Sequence, residues 1–195
     1  MKRQRRQFPL IHEMEFHNLS ERNLSIEDVF IRIARFMAQD PRAVYNIIVA
    51  TDAQCHTGHT VFDTCIVSHR VGKCAWVCYR RVILPREINS VKEKLSLETS
   101  FSQEIAALFD NGRRNMLEDI ILPYIDQGAD IKYFVDIDAG TDTIKNKTAA
   151  YVSEMVERVE SMGLTARVKP EAAMVGLVDR KTKQPYRFKI SATAT

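Results

Sequence analysis

A carboxylate closes one of the most apolar runs in the chain, Tyr45-Asn46-Ile47-Ile48-Val49-Ala50-Thr51-Asp52, ahead of Ala53-Gln54-Cys55-His56. The β-branched residues of that run predict a buried strand over about 45–53. A charge there is destabilising unless a positive partner meets it, and a metal ion is a common one. Two further segments combine strand character with acids: Tyr133-Phe134-Val135-Asp136-Ile137-Asp138 and Val175-Gly176-Leu177-Val178-Asp179. Strand alternation puts Asp136 and Asp138 on one face. Glu104 lies in a helical pattern between these segments, and Glu98 is its rival for the same role. Acids on rigid elements around ions about 3.5–4 Å apart suit metal-assisted hydrolysis of phosphodiesters. Each acid also has a plain structural reading: Asp52 and Asp138 as turn residues, Glu104 as a solvated helix acid, and Asp179-Arg180-Lys181 as an exposed charge run.

The elements that must position these residues follow from pattern. Residues 1–23 are expected to be a flexible arm, with Lys2, Arg3, Arg5 and Arg6 available to hold phosphates. Ser25 is the predicted cap of a helix that buries Val29, Phe30 and Ile33. Strands at about 45–53, 61–68 and 74–84 are joined by short links around Gly58 and Gly72, which predicts an antiparallel meander. Helices are expected over about 88–109, 114–127 (kinked near Pro123) and 143–162, with Gly163 as a C-cap. Strands at 131–137 and 164–169 flank the last of these helices, so their crossover should be parallel and right-handed. A short helical segment at 172–178 carries Asp179. The expected fold is α/β, with a mixed five-stranded sheet (a three-strand antiparallel meander plus parallel strands) flanked by helices. One domain over 24–183 and a loose tail over 184–195 complete the organisation.

Composition bounds the reading. The chain has 195 residues, 45% hydrophobic and 27% charged, as in an ordinary globular protein. No apolar stretch approaches the roughly 18 residues of a membrane span, and no signal peptide is evident, so the expected compartment is the cytoplasm. Net charge is +3, and removing the four basic residues of the arm leaves the remainder at about −1. Cys55, Cys65, Cys74 and Cys78 are expected to be free thiols. Cys55-His56-Thr57-Gly58-His59 lacks the second cysteine pair of a structural zinc site.

Several stretches resemble the YkuK-like proteins, a predicted ribonuclease H-like family. They are Ile48 through His56, Asn18-Leu19-Ser20, Tyr79 through Glu87, Glu98-Thr99-Ser100, and Lys169-Pro170 through Lys183. The resemblance spans residues 17 to 183 and lies more in the order of the motifs than in any one of them. It implies a ribonuclease H-like fold and a nuclease site that uses Mg²⁺ or Mn²⁺ on RNA, DNA or a hybrid. Asp52 would take the first-strand role, Glu104 the helix position, Asp136 the fourth-strand role and Asp179 the last. At Asp138 the family has a glycine, which leaves Asp136 and Asp138 as alternative ligands. A non-catalytic module of the same fold that binds nucleic acid or a protein is the alternative function. Asp136-Ile137-Asp138-Ala139-Gly140-Thr141 also resembles the nucleophile motif of haloacid dehalogenase-like phosphatases, and with Lys145 the phosphate loops of actin-like ATPases. Too little chain follows it to build either.

Overall fold

The computed structural model describes residues 11–12, 15–140 and 147–172. Ser25 opens α1 (Ile26–Ala38) with a capping box: its hydroxyl accepts from the Asp28 N–H, and Asp28 accepts from the Ser25 N–H. Val29, Phe30, Ile33 and Met37 form the buried stripe of α1. The meander is β2 (Val44–His56), β3 (His59–Arg70) and β4 (Cys74–Leu84). The β2–β3 link needs only Thr57-Gly58, where Gly58 takes φ 82°, a left-handed conformation that a side chain would strain. Next come α2 (Val91–Ala106), α3 (Asn111–Ile121), β5 (Asp130–Gly140), α4 (Val152–Glu160) and β6 (Thr165–Lys169).

The strand order is β1-β4-β3-β2-β5-β6. Five long strands form the expected mixed sheet: β2, β3 and β4 antiparallel, β5 parallel to β2, and β6 parallel to β5. A sixth strand, β1, is the two-residue stretch Ile11–His12 paired to β4 at the edge. The core also begins earlier than residue 24, because Phe16 is 2% exposed and pairs with Leu24, while His17 pairs with Tyr79.

Two helical expectations change in detail, and a third lies almost wholly outside the described residues. Pro123 does not kink a helix. It sits in the first turn of a separate 3-10 segment, Leu122–Gln127, where no N–H is required of it. The helix expected over 143–162 is described from a 3-10 turn at Ala149–Tyr151 onward, with α4 proper beginning at Val152. Of the segment expected at 172–178, only Ala172 lies within the described residues.

All four α-helices contribute to one core on one face of the sheet, built on Ile47, Val49, Ile66, Val135 and Ile137. The alternate residues Ile48, Ala50, Cys65 and Val67 are buried on the second face, where Ala172 joins them. Arg158 locks α4 to α2 through the Ser96 and Ser100 hydroxyls, each at 2.8 Å, and Gln103 Oε1 at 2.9 Å. Thr51 Oγ1 meets Ser102 Oγ at 2.8 Å and Thr64 Oγ1 at 2.9 Å. Together these contacts fix α2 against the carboxyl end of β2.

Candidate active site

Asp52 is 4% exposed and lies on the second face of β2, in the same alternation as Ile48 and Ala50. Directly across from it on β3 is Asp63, and across from Asp63 on β4 is Arg81. Two acids side by side repel. Arg81 relieves this by donating from Nε to Asp63 Oδ1 at 2.7 Å and from Nη2 to Oδ2 at 2.5 Å. Asp63 is absent from the sequence-based set of candidates, although its context, Val61-Phe62-Asp63-Thr64, carries the same signal that marked Asp52: an acid inside an apolar strand.

Asp136 and Asp138 of β5 both face cations from β6, as their shared face requires. Arg167 donates to Asp136 Oδ1 from Nε at 2.7 Å and approaches it with Nη2 at 2.6 Å, while its guanidinium lies 4.2 Å over the Phe134 ring. Asp138 forms an ion pair with Lys169, two residues further along β6. The β5–β6 register shifts between Asp136 and Gly140.

Pairing of β2 with β5 ends at Ala50 and Asp136. Beyond that point no strand among the described residues pairs with β2 on its β5 side, and the Ala53 N–H donates instead to Glu98 Oε1 of α2 at 2.9 Å. Glu98 thus plugs the opening between two parallel strands at their carboxyl ends, the place where open α/β sheets bind ligands. Its pKa is pushed up to about 8, chiefly by burial, with repulsion from Asp52 and Asp138 adding to it. Lys94, 3.6 Å from Glu98, and the Ala53 N–H oppose the shift. Burial pulls the Lys94 ammonium down, but Glu98, Asp52 and Asp138 outweigh it and hold it above its ordinary value. Asp52, Glu98 and Asp138 therefore form one electrostatic cluster.

The helix acid brought to Asp52 is Glu98, whereas Glu104 accepts from Arg80 Nη1 at 2.7 Å. Six residues along an α-helix are about 9 Å of rise and about 240° of rotation, so the two glutamates cannot face the same point. Asp179 lies outside the described residues. His56 and His59 stack across the hairpin at 5.0 Å. The His56 imidazole is held below its ordinary pKa, first by burial and then by His59 and Arg81. All four cysteines are free, with Cys65 and Cys78 buried.

Among the described residues, no three His, Cys, Asp or Glu side chains are already spaced as a metal ligand shell. The donor chemistry nonetheless suits a hard divalent ion. The cluster offers carboxylate oxygens only, and a buried acid whose charge is opposed by two neighbouring acids is one that a cation would relieve. No helix of the described residues is long and apolar enough to cross a membrane.

Residues 28–183 match the family model described as Ribonuclease H-like. The chain is 39% identical over 157 residues to the uncharacterized protein YkuK of Bacillus subtilis (strain 168), covering 80% of this chain and 90% of that protein. No solved structure matches significantly.

Proposed function

Because the chain belongs to the ribonuclease H-like family, we propose that it is a metal-dependent nuclease that hydrolyses phosphodiester bonds in RNA, DNA or a hybrid. The observation that carries this reading is geometric: buried Asp52 of β2, and Glu98 of α2 held by the Ala53 N–H at 2.9 Å, sit where the parallel pairing of β2 with β5 ends, and Asp138 lies just beyond that point on β5. These three would hold Mg²⁺ or Mn²⁺. Asp136 is a further candidate on the same face. Asp179 lies seven residues beyond Ala172, a stretch that spans at most about 25 Å. The pairing of Glu104 with Arg80 favours Glu98 for the helix position.

Bound ions of this kind supply an activated water and neutralise charge on the reacting phosphate. The protein's part is orientation. Glu98 is aimed by the Ala53 N–H, and α2 is aimed by the Thr51–Ser102 contact and the Arg158 clamp. Arg81 holds Asp63, the cross-strand neighbour of Asp52, and so offsets the repulsion between the two acids of the β2–β3 pair.

The test is cleavage of labelled RNA, DNA and hybrid substrates in Mn²⁺ by the wild type and Asp52→Asn. Cleavage by the wild type and its loss in a folded variant is the expected result. A non-catalytic module that binds nucleic acid or a protein is the second reading, favoured by the engagement of Asp136 by Arg167 and of Asp138 by Lys169. Nucleic-acid binding without Mn²⁺ uptake or cleavage would establish it in place of the first.

A further inference from the structure

We propose that Lys169 is a displaceable counter-cation of the acidic cluster: it holds Asp138 in the ion-free protein, is released when a divalent ion binds, and then contacts a phosphate of the nucleic acid. The inference rests on the nuclease reading above and adds to it the residue that couples ion loading to substrate contact.

Asp63, Asp136 and Asp138 are met by cations in two ways. Asp63 and Asp136 are held by arginines, with side-chain exposures of 0% for both acids against 10% for Arg81 and 18% for Arg167. Arg167 is further stacked on Phe134. Such a fork is locked in its plane by paired contacts, and opening it would strand a buried charge. Asp138 and Lys169 are different. Their side chains are 20% and 52% exposed, and the cation is a point charge on a flexible stem with three donors that can be re-aimed. The Lys169 side of this pair is open to water, so re-aiming the ammonium leaves no cation buried and unpaired. A doubly charged ion entering the cluster therefore opens the Lys169 pair first.

The released ammonium stays tethered at the end of β6, beside Asp138. A phosphate brought to the site is then its natural partner, because neutralising backbone phosphates is the main source of nucleic-acid affinity. The cluster draws cations even without an ion, as the effect of all three acids on Lys94 shows. Lys132, paired to Asp130 at 3.2 Å at the opposite end of β5, is the matched control.

The experiment measures two affinities of the full chain for Lys169→Ala, Lys132→Ala and the wild type. The first is Mn²⁺ binding by calorimetry. The second is binding of a short fluorescein-labelled oligonucleotide in Ca²⁺ across a salt series. Loss of the competing ammonium should tighten Mn²⁺ binding by about two- to fivefold in Lys169→Ala. Oligonucleotide binding should weaken, with a salt slope lower by about one. Lys132→Ala should change neither. Unchanged or weaker Mn²⁺ binding by Lys169→Ala overturns the inference while leaving the nuclease reading intact. So does an unchanged oligonucleotide salt slope, or an equal effect in Lys132→Ala. Failure of the wild type to bind Mn²⁺ overturns both.

Discussion

Replacing Glu98 with glutamine should make the stability of the ion-free protein less sensitive to pH. The Glu98 carboxyl moves from its ordinary 4.5 to about 8 in the fold. Below the lower value both folded and unfolded chains hold the proton, and the titration of Glu98 adds nothing to the pH dependence of stability. Between the two values the folded chain keeps a proton that the unfolded chain releases. Stability must therefore fall as pH rises through this window, by at most about 1.4 kcal/mol per pH unit for one proton. Across the whole window this amounts to about 4–5 kcal/mol. Glutamine retains Oε1 to accept from the Ala53 N–H and never ionises. Urea unfolding in EDTA, from about pH 5 to about pH 8.5, should give curves for wild type and Glu98→Gln that nearly meet at the acid end and diverge with the variant the more stable. Groups common to both proteins cancel in that difference. Saturating Mn²⁺ should stabilise the wild type more than the variant at the alkaline end. Parallel pH curves in EDTA would refute the argument, because they would mean that Glu98 titrates alike in the folded and unfolded chains.

Two other substitutions probe the frame around the site. Arg81→Met leaves the carboxylate of Asp63, at 0% exposure, without its fork. The expected loss is about 3–5 kcal/mol in urea unfolding, and a loss below about 1 kcal/mol would mean that Asp63 is not the buried ion this geometry describes. Phe16→Ala should cost about 3–5 kcal/mol, since the ring is 2% exposed in the main core. A near-zero change, read in the same assay, would return this residue to a loose arm.

Much of this frame was readable from local pattern. Ser25 ahead of the Val29, Phe30 and Ile33 stripe announced α1, and the apolar lead-in to Asp52 marked a strand end where a charge needs an explanation. The glycines at 58 and 72 marked the two turns of the meander. What stayed hidden depends on partners distant in the chain. Glu98 and Glu104 look alike on a helical wheel, and what separates them is long-range: Glu98 meets the Ala53 N–H where β5 parts from β2, whereas Glu104 meets Arg80 on β4. Asp63 was passed over because its neighbours satisfy a strand without it, and only the cross-strand register sets it against Asp52. β1 is two residues long, too short to show any periodicity of its own. Pro123 looked like a kink because composition alone does not reveal that a new 3-10 turn begins there.

The parallel pairing of β2 with β5 joins residues 86 positions apart, Ala50 with Asp136 among them. The meander, by contrast, closes through hairpins a few residues long. Loop closure over such a span is entropically slow, and its contacts reward the chain only after the ends meet. Asp52 and Asp63 are thus in place as soon as the meander zips, while Asp138 reaches the cluster only at the closing step. A growing or partly folded chain therefore lacks the full set of these carboxylates, and whatever depends on all of them is confined to molecules that have finished folding.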